Sequence, residues 1–89
     1  MEYLEYLLSS FIHGEYSLSH AQRVIVIKPD YAKAYNQLGV AYEVMRNPKK
    51  SIVYYLIAQK LYSKMNDEES ERRINRRLEQ LYKAIGTPS

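Results

Sequence analysis

No cysteine occurs among the 89 residues, which excludes disulfides, thiolate metal ligands and a thiol nucleophile. Tryptophan is also absent and Phe11 is the sole phenylalanine, yet the chain carries ten tyrosines. Tyrosine fills space like phenylalanine but needs its hydroxyl bonded or at a wet edge. That composition suits thin helical layers whose interior is never far from water. No apolar run approaches the roughly 20 residues of a membrane span. Glu2 and Glu5 follow Met1 where a secretory leader would carry basic residues, so the expected location is the cytosol. Glycine and proline number three each. No segment alternates with period two and no dipeptide suits a tight hairpin, so the expected fold class is all-α.

The sparse punctuation divides the chain into five expected helices. The segment 2–13 places Leu4, Leu7, Leu8 and Phe11 on one face, with Gly14 as its stop. A second helix is expected at 16–28; its β-branched end, Val24 to Ile27, would suit a strand if read alone. Ser17 as N-cap and Pro29 as stop favour a helix. Pro29 then turns the chain, and Asp30 is placed to accept N–H groups of a third helix at 31–46. Asn47 as cap and Pro48 at the first helical position open a fourth helix at 48–64. The stretch 63–70, SKMNDEES, precedes a fifth at 67–85, where Ile74, Leu78, Leu81 and Ile85 form a narrow apolar stripe among charges.

Charge is unevenly spread. Residues 1–45 hold three Lys or Arg against five Asp or Glu, whereas residues 46–89 hold ten against five. An acidic half is thus joined to a basic half, a feature that bears on partner choice.

One residue conflicts with its surroundings. Gly39 lies inside the third helix, where glycine costs about 1 kcal/mol relative to alanine. The third and fourth helices are joined by a short corner and must run antiparallel. Small residues at Gly39 and Ala58 would let neighbouring helices approach closely, with Tyr35, Leu38, Tyr42 and Tyr55 filling the space beside them.

Tyr35, Leu38-Gly39, Tyr42, Tyr55 and Ala58 stand at the offsets of a tetratricopeptide repeat, a helix–turn–helix unit of about 34 residues. Residues 32–65 resemble that family well, with Ser51 where alanine is usual and Ser63 in place of the closing proline. Pro29 falls at the closing position of a preceding unit. Residues 1–31 resemble a degenerate repeat, with Leu8 where the glycine would be, and residues 66–86 a polar capping helix. The resemblance implies a single domain, 1–89, built as a short right-handed superhelix of antiparallel hairpins. Two hairpins and a cap fall below the roughly three repeats usually wanted for stability, which self-association would relieve.

The resemblance further implies a concave groove lined by the first helix of each pair. Lys33, Asn36, Val40, Glu43 and Val44 would face it from the clear repeat, with Gln37 at its edge. Glu2, Glu5, Tyr6, Ser9 and Ile12 would be the counterparts from the degenerate one. Val40 and Val44 would take an apolar side chain of a ligand or, equally, pack against the first or fifth helix. Some family members grip a C-terminal carboxylate with a Lys and Asn clamp; Asn36 and Val40 occupy the relevant positions here, so that clamp is not expected.

A rival site is the run ERRINRR, 71–77, where Arg72, Arg73, Arg76 and Arg77 could form a basic strip for nucleic acid, an anionic membrane surface or an acidic peptide. Against it, Glu68, Glu69 and Glu79 each stand four residues before Arg72, Arg73 and Lys83, the favourable helical spacing for ion pairs. Lys49 and Lys50, in the first turn of the fourth helix, are either ordinary surface lysines or contacts for an acidic partner. His13 and His20 lack carboxylates at metal-ligand spacing. No phosphate loop, activated nucleophile or cofactor motif is present, so no enzyme activity and no cofactor is expected. The expected function is an adaptor that binds a peptide, or a helix of a protein, in a shallow groove. A self-assembling module and a nucleic-acid binder are the alternatives.

Overall fold

The computed structural model describes residues 18–86; the expected helix at 2–13, and with it Tyr6 and Ser9, lies outside them. The described residues are all-helical, with no strand. They form α1 (18–27), α2 (Ala32–Val44), α3 (Pro48–Lys64) and α4 (Glu68–Ala84). None of these helices is long and apolar enough to cross a membrane. The β-branched run Val24 to Ile27 is helical, although Val26 and Ile27 project into solvent.

The two corners flanking α3 have the same construction. After α2, Arg46 takes the left-handed conformation with φ of 61°; after α3, Asn66 does so with φ of 59°. The Arg46 N–H bonds to the Glu43 carbonyl, and the Asn47 N–H reaches back to that of Tyr42 at 2.8 Å. Asn66 and Asp67 repeat the pattern on Ser63 and Tyr62. Carbonyls that the helix end would leave without partners are thereby satisfied. The residue that completes each stop also starts the next helix: the side chain of Asn47 accepts from Lys50 N–H at 3.3 Å, and that of Asp67 from Ser70 N–H at 3.2 Å.

Asp30 does not cap α2 as expected. Tyr31 is the capping residue and makes no side-chain cap bond. The Tyr31 N–H is drawn back to the Lys28 carbonyl at 3.2 Å. The first helical turn therefore starts one residue later, and Asp30 falls outside it.

The core answers the question set by Gly39. A Cβ at that position would lie 2.6 Å from two ring atoms of Tyr55, closer than carbon atoms pack. The Tyr55 ring is fully buried on the glycine backbone, and the buried Ser51 hydroxyl donates to the Gly39 carbonyl at 2.6 Å. Next to this contact Tyr42 stacks on Tyr54, with centroids 5.5 Å apart and planes 3° from parallel. On the other side of α3, Tyr55 and Ala58 join Ile74, Leu78 and Leu81 of α4 in one buried cluster. Ile85, the last residue of the expected stripe, lies beyond α4 and is 39% exposed.

Candidate functional site

Because α2 and α4 both pack on α3, a cleft of about 1030 Å³ opens between them. Helical spacing sets its walls. Lys33, Asn36 and Val40 point in from α2 at intervals of three and four residues; Ser70, Arg73, Ile74 and Arg77 do so from α4. Leu61 and Tyr62 of α3 contribute the floor, and Val40 packs down onto the buried cluster that includes Ile74. Where the corners converge, Tyr31 and Met65 form the rim, flanked by Lys28 and Lys64.

The cleft unites residues that the sequence assigns to rival surfaces. Lys33, Asn36 and Val40 of the expected groove share it with Arg73 and Arg77 of the expected basic strip. Gln37 is exposed and outside the lining, and Val44, one turn beyond Val40, is 45% exposed and also outside it. Arg72 and Arg76 are exposed and do not line the cleft. Lys28, Tyr31, Leu61, Lys64, Met65 and Ile74 are lining residues that the repeat register does not indicate. The helical phase shared by Ser70, Arg73, Ile74 and Arg77 is the signal that could have revealed the α4 wall.

Glu43 is engaged within the protein. Its Oε1 accepts from the Tyr55 hydroxyl at 2.5 Å and from Arg77 at 3.3 Å, tying α2, α3 and α4 together at one carboxylate oxygen. Burial raises the Tyr55 pKa well above its ordinary value, and the bond to Glu43 and its charge add to the shift. Tyr62 is raised for the same first reason, with the Asp67 charge second. The Asp67 carboxyl is held below its ordinary value by the Ser70 hydroxyl, 2.8 Å away, and by the Ser70 N–H. Of the three expected ion pairs within α4, the structure forms Glu69–Arg73, at 3.4 Å. Its side chains are 68% and 79% exposed, so solvent screens it and the pair contributes little.

Five cations and two carboxylates line the cleft. Its chemistry is that of recognition: an amide able to donate and accept, ammonium and guanidinium donors, and an aliphatic floor. Among the described residues no group of three or more His, Cys, Asp or Glu side chains is placed to hold a metal ion. Comparison of the chain with protein-family models, with curated proteins and with solved structures returns no match.

Proposed function

We propose that this chain is a tetratricopeptide-like interaction module that binds a peptide, or a helix of a partner protein, in the cleft between α2 and α4. The observation that carries the reading is the joint lining: Val40 and Leu61, both part-exposed, offer apolar contact, with Asn36 and charged groups of two helices around them. A ligand seated there would bury its apolar side chains on that floor and direct its polar groups to the walls. The glycine–tyrosine contact of α2 and α3, at the family's offsets, supports the repeat assignment. On this reading α4 is the capping helix, since Ile74, Leu78 and Leu81 face the core while Arg72, Asn75, Arg76 and Glu79 are exposed.

A photo-crosslinking amino acid at Asn36, with Lys60 on the exposed side of α3 as control, tests this in cell extract. Discrete protein adducts from position 36 and none from 60 are the expected outcome. Equal labelling from both positions would refute the reading. Self-association is a second reading, favoured by Val53 and Leu56 on α3, which are 53% and 41% exposed. It predicts a mass that rises with concentration and falls on Leu56→Glu.

A further inference from the structure

Resting on that reading, we infer that the ligand is acidic: a peptide stretch with several Asp or Glu residues around at least one bulky apolar side chain. The cations come from every side of the cleft. Lys33 stands on the α2 wall, Arg73 on the α4 wall, and Lys28 and Lys64 at the rim. Arg77 is already committed to Glu43, and the exposed pairing of Arg73 with Glu69 is weak enough to exchange for a ligand carboxylate. Among the described residues Lys33 and Lys64 therefore have no ion-pair partner and Lys28 only the Tyr31 ring, 5.4 Å away, around a floor that includes Val40 and Leu61. An apolar peptide would leave those charges unanswered, and a basic one would be repelled.

The carboxylates distinguish a peptide from a nucleic acid. Asp30 and Asp67 also line the cleft, among the cations. Asp67 is a carboxylate held further below its ordinary range by Ser70, so it carries a negative charge at neutral pH. A nucleic-acid strand carries one negative charge per nucleotide and cannot omit one opposite Asp67. A peptide can set a neutral or basic residue there and keep its acidic residues for Lys33, Lys64 and Arg73. The volume exceeds that of most small-molecule pockets and suits a segment of several residues.

The test is selection of a displayed random peptide library, about 12 residues long, on the full chain. Selected peptides are then titrated against Lys33→Glu/Lys64→Glu, a double change at exposed positions, with helicity checked by circular dichroism. Expected are peptides with an excess of Asp and Glu around Leu, Ile, Val or an aromatic residue. Their binding should weaken about tenfold or more in the double variant and fall with salt. Val40→Arg should abolish binding, with Asn36→Trp replacing it if Val40→Arg loses helicity. Peptides with no acidic excess that still depend on Val40 or Asn36 would overturn the acidic ligand and leave the cleft reading intact. Peptides that ignore every variant, or no enrichment at all, would overturn both. Displacement of the peptides by tighter binding of a single-stranded oligothymidylate of about 20 nucleotides would overturn the acidic peptide in favour of nucleic acid.

Discussion

The two sides of α3 solve the same packing problem by opposite means. Toward α2, an aromatic ring rests on bare backbone: Tyr55 covers Gly39, Ser51 bonds to the same residue, and Tyr54 stacks between Tyr35 and Tyr42. Toward α4 the partners are aliphatic: Ile74, Leu78 and Leu81 close on Ala58 and on the far side of Tyr55, with a hydrogen bond from Gln59 to Asn75 at the edge. A ring against backbone leaves no room for added atoms, whereas branched aliphatic chains lose most when atoms are removed. One helix therefore has a side that resists enlargement and a side that resists truncation.

Substitutions on each side should separate these behaviours. Leu78→Ala, a truncation on the α4 side, should cost the most, about 2–5 kcal/mol by urea unfolding. Gly39→Ala should cost about 1–3 kcal/mol despite alanine's better helix propensity, because the fully buried Tyr55 ring cannot move aside. Combined with Tyr55→Leu, the same change should cost clearly less than the two singles summed. An additive result would show that the ring-on-glycine contact does not control that side.

A pH series probes the contrast through tyrosine. The folded chain holds Tyr55 and Tyr62 above their ordinary value of 10.0, so it keeps protons that the unfolded chain releases. Stability is full below pH 10 and should fall as pH rises above it. Tyr55→Phe should flatten most of that alkaline loss, seen as a urea midpoint that changes less between about pH 8 and pH 11 than in the parent. The smallest effect concerns the corners. Arg46→Gly should stabilise by about 0.5–1 kcal/mol, since a left-handed non-glycine residue is strained. Asn66→Gly should gain less, because asparagine tolerates that conformation. Equal gains would mean that the corners differ only in sequence.

Much of the helical frame is legible in the sequence. Asn47-Pro48 gives the start of α3, and the Leu38-Gly39 and Tyr55 offsets give its close contact with α2. Local rules suffice there, because capping and close approach each leave a residue-type signature. The corners are less visible, since arginine at position 46 carries no sign of a left-handed backbone. The cleft is the least legible. Its walls come from helices whose starts lie 36 residues apart (32 and 68), and helical register alone does not say that Arg73 and Lys33 share a space. Nor does it pair Glu43 with Arg77, 34 residues away. Such groupings follow from how α3 holds its neighbours and not from any one segment.

The shared residues at the corners have a mechanical consequence. Asn47 and Asp67 each end one helix and begin another, so α2, α3 and α4 are joined through short, fully hydrogen-bonded corners. The spacing of α2 and α4 is then gauged by the thickness of α3, measured through Gly39 on one side and Ala58 on the other. A single methyl added at Gly39, 2.6 Å from the Tyr55 ring, would act as a shim. Gly39 does not line the cleft, yet an added methyl there would press on the spacing of a helix that walls it.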